Sequence, residues 1–306
     1  MNKPASILVA GRATVDLIME IDHFSDRGEK FRANDCRFVV GGPGANASIA
    51  MARFGAQPLL ITYLGDDMIG NFIRQSLIDE SVDMSMSLIS AGTQSSVSAA
   101  FVDSGGERQT FNFPGKGFTE LSQTLKSDYR PCAVLADNRH PELTNWAIAF
   151  GKKRNVPIII DAEAPFTENH ANGATHLAFS RQGLDSFAPS CDIETGLRRA
   201  EDVTGCWVCV TDGENGVWYL QNNVITNIPA FIVRTVDSVG AGDVWHGIFS
   251  LCLGEEMSEG SAIKVARFFC FELCCAASKK WIKFTFLFKE YTVTAAMESG
   301  GIIICK

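Results

Sequence analysis

Short apolar runs alternate along the chain with longer segments whose apolar residues recur at helical spacing. The clearest unit begins with the apolar run 132–136, continues through 143–150, where apolar residues fall at i, i+3, i+4 and i+7, and closes with the run 156–160. The outer runs have the length of buried strands, and the segment between them has the period of an amphipathic helix. This alternation predicts a parallel sheet covered by helices.

Other segments follow different patterns. Apolar spacing over 69–77 predicts a further amphipathic helix. The regions 29–40 and 95–113 instead interleave β-branched and aromatic residues with polar ones, and Gly105-Gly106 is typical of a hairpin turn. These two regions predict a small antiparallel layer apart from the main sheet.

Composition indicates a globular protein whose partner is a small molecule. The chain has 306 residues, of which 46% are hydrophobic and 20% charged, so it can bury a substantial core. The formal net charge of -8 argues against a nucleic-acid partner, because phosphate backbones are held mainly by Lys and Arg.

The N-terminal region lacks the features of an export signal. The apolar stretch 7–10 is too short for the core of a signal peptide, and no segment reaches the roughly 18 apolar residues that would span a bilayer. We therefore expect a soluble, cytoplasmic protein with no membrane partner. Its ten cysteines are irregularly spaced, so we expect reduced, mostly buried thiols.

Cys206 and Cys209 form a CxxC pattern. No second Cys or His pair stands at zinc-finger spacing, so a pair in a buried strand is favoured over a metal or redox site.

The stretch 236–247 carries the most informative chemistry. It begins as a loop with small residues at 240–242 and opens into an apolar helix that runs through Leu253. Amides at a helix N-terminus are unsatisfied donors that can hold a phosphate. A carboxylate beside them, Asp243, could take a proton from an attacking hydroxyl, although it could equally be a helix cap.

This stretch resembles the second signature of the ribokinase or PfkB family of carbohydrate kinases, Asp-Thr-x-Gly-Ala-Gly-Asp, with Ser238 where Thr is usual. The resemblance implies that Gly240, Ala241 and Gly242 form an anion hole and that Asp243 is the catalytic base. It also implies a ribokinase-like α/β fold, in which helices flank a doubly wound, mostly parallel sheet beneath a small β-lid.

Three further segments match the family in the same order. The run 41–47 resembles its Gly-Gly-x-x-x-Asn sugar-binding segment, Asp16 its strand-end Asp, and 210–216 its nucleotide-phosphate turn. The matches span residues 7–266. By this resemblance the sugar-binding residues include Asp16, Gly41, Gly42 and Asn46, and the ATP-binding residues are Ser180, Thr211, Gly213 and Gly216.

The resemblance implies that the protein transfers phosphate from MgATP to a primary hydroxyl of a sugar. A homodimer is the expected assembly, and a monovalent cation could take part. We expect a single ribokinase-like domain over 1–306, with lid strands from about 12–40 and 95–115 inserted in it.

Another interpretation of the early glycines is possible. Gly42, Gly44 and Ala47 also satisfy a dinucleotide-binding Gly-x-Gly-x-x-Ala, with Asp66 roughly twenty residues on. That interpretation, which would indicate a nicotinamide-dependent oxidoreductase, explains neither the 237–243 segment nor the polar β-layer. The Walker pattern of P-loop kinases is absent from the sequence.

Three polar residues suggest that the substrate carries an anion: Lys30, Asn112 and Arg139. They could converge on a sulfonate or phosphate, or they could be solvated surface groups. The surroundings of Lys30, Asn112 and Arg139 are most similar to sulfofructose kinases within the family, which phosphorylate 6-deoxy-6-sulfofructose at C1. A neutral sugar and a sugar phosphate remain alternatives.

The chain departs from the family in two places. The Asn-x-x-Glu motif that helps to organise Mg2+ is not seen, and 179–184 stands in its place, so metal placement would depend on Asp161, Glu163 or water. The segment 267–306 diverges from the Ala- and Asn-rich helix that lines the family's adenine pocket. A non-catalytic sugar-binding protein with an impaired ATP site is therefore the rival hypothesis.

Overall fold

The structure of the chain is a computed structural model. It describes residues 4–25, 27–28, 30–118, 129–231, 240–275, 293–294 and 304–305, with side chains described up to residue 270. The stretch 232–239, which includes Ser238 and the start of the second signature, and most of the divergent segment 267–306 lie outside the described residues.

The apolar runs form the strands of a large sheet, and the interleaved runs form a separate small one. The described strands are β1 (Ser6–Ala10), β2 (Thr14–Glu20), β3 (Asp35–Gly41), β4 (Gln57–Ile61), β5 (Tyr63–Gly65), β6 (Leu88–Ser90), β7 (Val97–Val102), β8 (Arg108–Phe113), β9 (Ala133–Asp137), β10 (Ile158–Ala162), β11 (His176–Ser180), β12 (Trp207–Thr211), β13 (Val217–Gln221), β14 (Val224–Ile228), β15 (Val293–Thr294) and β16 (Ile304–Cys305).

The segments of helical period form the helices. The described α-helices are α1 (Pro43–Arg53), α2 (Met68–Asp79), α3 (Pro141–Lys152), α4 (Arg181–Phe187), α5 (Ile193–Thr204), α6 (Ala241–Gly254) and α7 (Glu259–Cys275). The helix predicted over 69–77 is confirmed as α2, where Asp67 caps the N-terminus by accepting a hydrogen bond from the Gly70 amide. The unit predicted over 132–160 is confirmed as β9, α3 and β10.

The main sheet has the order β14-β13-β12-β11-β10-β9-β1-β4, in which only β13 and β14 run antiparallel to their neighbours. Alternate strand residues point to opposite faces, so each face buries its own core. On one face Ile7 and Leu135 pack among residues of α1, α6 and α7, and on the other Leu8 and Val134 pack among residues of α3, α4 and α5. The predicted mostly parallel sheet with helices on both faces is confirmed.

The small sheet, here called the lid sheet, has the order β3-β2-β7-β8. β2 pairs antiparallel with β3 and β7 with β8, as predicted, but β2 and β7 pair in parallel. The prediction of a purely antiparallel layer is therefore wrong at its centre, because the lid sheet joins two hairpins whose connection runs through the main sheet. The turn at 104–105 links β7 to β8, as the Gly105-Gly106 pair predicted.

The chain changes direction across the main sheet between β1 and β9. From β1 it proceeds to β4 on one side, and it returns to β9 on the other before it adds β10, β11 and β12 in sequence. Carboxyl ends of parallel strands flanking such a switch point form a crevice that is open to ligands. The residues that follow β1, β9 and β10 therefore meet at one edge.

The cysteines are consistent with a reduced protein. Cys206 and Cys209 are buried, Cys209 within β12, and the seven cysteines whose side chains the structure describes are free. Of these seven only Cys206, Cys209 and Cys252 are buried, so the prediction of mostly buried thiols is wrong for the others, which lie nearer the surface. Burial raises the pKa of Cys206 and Cys209, which makes both thiols poor nucleophiles at neutral pH. Among the described residues no helix is long and apolar enough to cross a membrane.

Candidate functional site

The N-terminal ends of α1 and α6 meet at the carboxyl edge of the main sheet. Asn46, in the first turn of α1, donates a hydrogen bond from Nδ2 to Oδ2 of Asp243, in the first turn of α6, at 2.7 Å. Gly240 caps α6 with a φ of 77°, and a Cβ at that position would lie 3.2 Å from Asn46 Nδ2. Glycine thus supplies both the left-handed turn and the space that the Asn46–Asp243 contact needs.

Asp243 is surrounded by other ionisable groups. Burial, followed by the negative charge of Asp161, raises the pKa of Asp243 to about 7, while the hydrogen bond from Asn46 and the field of His246 act in the opposite direction. Only part of the Asp243 side chain remains exposed. A carboxylate with a pKa near neutrality can take up a proton and release it again, as a general base must.

A buried pair lies beneath Asp243. His246 is 2% exposed, and its Nε2 lies 3.2 Å from the carbonyl oxygen of Ala178. A carbonyl can only accept, so Nε2 carries the hydrogen and Nδ1 presents its lone pair to Asp161 Oδ1, 3.6 Å away. Burial lowers the pKa of His246 and raises that of Asp161.

The first turn of α6 offers a concave set of amides. The opening amides of an α-helix have no partner within the helix, so those at 240–242 can point toward a ligand. Gly242 is exposed, and nothing lies within 4 Å of where its Cβ would be. From behind, the thiol of Cys270 on α7 donates to the carbonyl oxygen of Ala241 at 3.0 Å.

The predicted sugar segment begins where β3 passes into α1. The carboxylate of Asp16 on β2 lies against the α-carbon of Gly41, and burial raises the pKa of Asp16. Gly42 caps α1 with a φ of 93°, and its Cβ would lie 2.8 Å from the carbonyl oxygen of Arg12. These contacts therefore connect the predicted sugar-binding residues with the carboxylate of the second signature in one series: Asp16, Gly41, Gly42, Asn46 and Asp243.

Two residues that the sequence did not single out connect this series to Arg139. Asp137, 4% exposed at the end of β9, accepts hydrogen bonds from the amide of Arg12 at 2.6 Å and from the amide of Arg139 at 3.0 Å. Arg139 Nη1 in turn donates to the carbonyl oxygen of Ala164 at 2.9 Å. The sequence signal that could have identified Arg12 and Asp137 was that each lies just after an apolar run, 7–10 or 132–136.

The other two predicted anion-binding residues lie in the lid sheet region. Asn112 is in register with Ser98, which is in register with Asp16, so the three share one face of the lid sheet. Lys30 is exposed in the loop between β2 and β3. This loop is at one end of the β2–β3 hairpin, and Gly41 is at the other end. None of the described contacts brings Lys30 to Arg139.

The predicted ATP residues form two neighbouring turns. Ser180 ends β11, Thr211 ends β12, and the two are paired in register. The Ser180 hydroxyl accepts from the Gly183 amide at 3.0 Å and so caps α4. Gly213 and Gly216 have φ values of 53° and 88° in the turn after β12, which confirms a tight turn at this place.

At 179–184 the fold leaves no room for the Glu of an Asn-x-x-Glu motif. A side chain at Gly183 would collide with the carbonyl oxygen of Ala162, so no carboxylate fits there. Glu163 follows β10 as a partly exposed carboxylate 3.9 Å from Arg139 Nη2. Among the described residues no group of three or more His, Cys, Asp or Glu is arranged to hold a metal ion.

The position of the early glycines argues against the dinucleotide interpretation. A dinucleotide-binding turn leads from a strand of the parallel sheet into a helix. Here Gly42 and Gly44 follow β3, which belongs to the lid sheet.

Comparison with known proteins agrees with this geometry. The profile of the family described as pfkB family carbohydrate kinase matches residues 4–268. The ribokinase of Bacillus subtilis is 26% identical over 272 residues, which cover 85% of this chain and 90% of that protein. The fructokinase of Klebsiella pneumoniae is 28% identical over 262 residues, covering 78% and 81%.

A solved structure shows the same fold. The structure of Arabidopsis thaliana ribokinase complexed with ribose and ATP superimposes with a TM-score of 0.76 at 20% identity, covering 88% of this chain and 92% of that one.

Proposed function

Because the chain belongs to the pfkB family of carbohydrate kinases, and is a phosphotransferase acting on a sugar hydroxyl, we propose that Asp243 activates a primary hydroxyl of an anionic ketose. The observation that carries this proposal is the Asn46–Asp243 hydrogen bond of 2.7 Å. It joins a sugar-segment residue directly to the carboxylate of the second signature.

The proposed site has two halves. The acceptor half comprises Arg12, Asp16, Gly41, Gly42, Asn46, Asp137, Arg139 and Asp243. The nucleotide half comprises Ser180, Thr211, Gly213, Gly216 and the amides at 240–242.

In the acceptor half, Asp16, the Gly41-Gly42 backbone and Asn46 orient the sugar. Asn46 donates to one oxygen of Asp243, which leaves the other oxygen to receive the proton of the sugar hydroxyl. Holding the nucleophile and the base in this geometry replaces a bimolecular encounter by a positioned one. The raised pKa of Asp243 suits a base that works near neutral pH.

In the nucleotide half, bound ATP supplies the phosphoryl group that is transferred. The amides at 240–242 stabilise charge on that group, and the open space beside Gly242 admits an oxyanion. Ser180 and Thr211 lie along the neighbouring strand ends, where they would bind the remaining phosphates. Mg2+ keeps several waters and takes one or two carboxylates besides phosphate, so Glu163 would be its protein ligand.

We propose 6-deoxy-6-sulfofructose as the substrate, with C1 as the site of phosphorylation. The resemblance of the residues around Lys30, Asn112 and Arg139 to sulfofructose kinases supports this choice. Arg139 is tied to the sugar segment through Asp137, and Asn112 shares a face with Asp16.

We further propose a single domain over residues 1–306, in the cytoplasm, that assembles as a homodimer. The lid sheet supports the homodimer because one of its faces carries large exposed aromatic side chains. Phe38, Phe111 and Phe113 are 56%, 58% and 39% exposed, and such a patch is typical of an interaction surface. Light scattering of the chain and of Phe111→Ser would test this, since a monomeric wild type would contradict it.

The function is tested by a screen of sugars in an assay that measures ADP release with MgATP. Ketoses bearing a sulfonate, a phosphate or neither at C6 should be compared, and the product should be analysed for phosphate at C1. The expected result is highest kcat/KM for the sulfonate. Turnover of a neutral sugar alone would contradict the substrate assignment, and sugar binding without any turnover would favour the non-catalytic rival.

A further inference from the structure

Arg12 is the least explained charged residue at the carboxyl edge of the main sheet. Its backbone is fixed on both sides: the amide donates to Asp137, and the carbonyl oxygen accepts from the amide of Ala45 at 3.3 Å, within the first turn of α1. Its guanidinium is partly buried, and the described residues offer no hydrogen-bond partner to its buried Nε. A buried Nε without a partner is costly, so a ligand that supplies an acceptor is expected.

Asp137 does not neutralise this guanidinium through a direct ion pair. Its two oxygens accept from the main-chain amides of Arg12 and Arg139. One buried carboxylate therefore fixes the backbone position of both arginines. Two arginines therefore start from the carboxyl ends of β1 and β9. Glu163 lies 3.9 Å from Arg139 Nη2, whereas the described residues offer the Arg12 guanidinium no such ion pair.

Two more buried polar atoms lack partners, on Tyr63 and Asn138, each of which adjoins a residue that bonds to the backbone at 12–13. Tyr63 is 5% exposed, and its hydroxyl has no hydrogen-bond partner among the described residues; the same holds for Oδ1 of Asn138, which is 7% exposed. Tyr63 directly follows Thr62, whose hydroxyl accepts from the amide of Ala13. Buried polar atoms are nearly always satisfied in native proteins, so these atoms are open to hydrogen bonds from a polar ligand.

The positive charge of Arg12 affects the ionisation of His140. His140 packs edge-on against the Tyr63 ring at 5.2 Å between centroids. Burial, followed by the charge of Arg12, lowers the pKa of His140 to about 4, so this imidazole stays neutral and leaves Arg12 and Arg139 as the cations.

We propose that Arg12, acting with Arg139, binds the anionic substituent of the sugar and determines the preference for anionic over neutral substrates. The inference rests on the proposed function and deepens it by naming the residue that recognises the anion. The ligand chemistry is a ketohexose whose carbon remote from the reacting hydroxyl bears a sulfonate or a phosphate. Its oxygens accept from the Arg12 guanidinium and the Tyr63 hydroxyl, while a sugar hydroxyl donates to Asn138 Oδ1.

Arg12 suits this role better than Lys30. The Arg12 backbone contacts Gly42, a residue of the sugar segment, so its position relative to the sugar is rigidly set. Lys30 is exposed on a long loop, where water competes for its charge and the ordering of its side chain is costly.

The test compares Arg12→Gln with the wild type on matched sugars that carry a sulfonate, a phosphate or a hydroxyl at the remote carbon. We expect kcat/KM for the anionic sugars to fall at least about tenfold, the scale of a lost charge-assisted hydrogen bond, with little change for the neutral sugar. Calorimetric binding of the same sugars without ATP should show the same selective loss. Arg12→Lys should retain part of the preference, because it keeps the charge but not the planar fork.

Arg198→Gln is the control for loss of a positive charge. Arg198 lies on α5 and bonds to Glu194, so both sugar classes should be used as by the wild type. Equal losses for anionic and neutral sugars in Arg12→Gln, or a retained preference for the anion, would overturn the inference. If the wild type itself prefers the neutral sugar or uses none, the proposed function fails first, and the inference with it. The sulfonate and phosphate arms show which anion the site selects.

Discussion

The acceptor half of the site is assembled by contacts between residues far apart in the chain, whereas the nucleotide half is assembled largely by local turns. Asn46 and Asp243 are 197 residues apart, and Arg12 and Asp137 are 125 apart. In the nucleotide half, Ser180 caps the helix that follows it, and Gly213 and Gly216 shape a turn a few residues long. The acceptor half is therefore organised by the whole fold.

This difference has a physical consequence. Side chains held by tertiary hydrogen bonds have lost much of their freedom before a ligand arrives, so binding costs them less entropy. The hydroxyl of Ser180 is already engaged with its own helix, and the turn after β12 is exposed. We therefore expect sugar binding to be the more robust property and nucleotide binding the more easily lost.

The largest expected effect concerns the base. Asp243→Asn keeps the size of the side chain and an oxygen that can accept from Asn46, but it removes the proton acceptor. Turnover should fall at least about a hundredfold, the usual scale for loss of a general base, while sugar binding measured by calorimetry survives. Asp202→Asn on α5 is a control that alters the same chemical group away from the site. Nearly unchanged turnover in Asp243→Asn would refute the assigned role.

The next effect concerns Arg139. Arg139→Ala should weaken binding of an anionic sugar by about 10- to 150-fold, which corresponds to a charge-assisted contact of roughly 1.5 to 3 kcal/mol. Its neutral analogue should bind almost as before. Calorimetric titration with both sugars measures the two affinities directly. Equal losses of affinity for the anionic and the neutral sugar would indicate that Arg139 only stabilises the loop at Ala164.

The comparison of the two halves is itself testable by calorimetry with MgATP and, separately, with sugars. Because the family's adenine pocket is formed by the region that diverges here, we expect ATP to bind at least about tenfold more weakly than the sugar, the equivalent of about 1.4 kcal/mol. Tight ATP binding with steady turnover would show that the divergent segment is a working variant of the pocket.

A smaller effect is expected on the pH profile. Asp243 must be ionised to act, and its pKa of about 7 predicts that kcat/KM rises with pH through neutrality. The charge of Asp161 raises that pKa, so Asp161→Asn should move the acid limb to lower pH by about one unit or less. An unmoved limb would indicate that Asp161 remains protonated throughout the range.

The smallest effect is on stability. The pKa of Asp243 is higher in the folded state than the ordinary value of 3.8, so between these values the folded state binds more protons than the unfolded state. Stability conferred through this group therefore falls as pH rises from about 4 to 7. Asp243→Asn should therefore have a higher free energy of unfolding than the wild type at pH 8, measured by chemical denaturation, and the difference should shrink near pH 4. A difference that does not vary with pH would contradict this.

Much of the fold was determined by local pattern. The apolar runs and helical periods predicted β9, α3, β10 and α2, because strand and helix periods are properties of neighbouring residues. The glycines at 42 and 240 were recognisable as turns for the same reason. The turns of the proposed nucleotide half, at 213–216 and 240–242, are local features of the same kind.

The tertiary structure alone decided which side chains meet. No local pattern indicates that Asp137 holds Arg12 and Arg139, or that Asp161 and His246 lie beneath Asp243. The parallel pairing of β2 with β7 was equally hidden, and the hairpin carrying Lys30 leaves that residue at the end opposite to Gly41. Such contacts depend on the order in which strands join the sheet, which only the packing of the complete core determines.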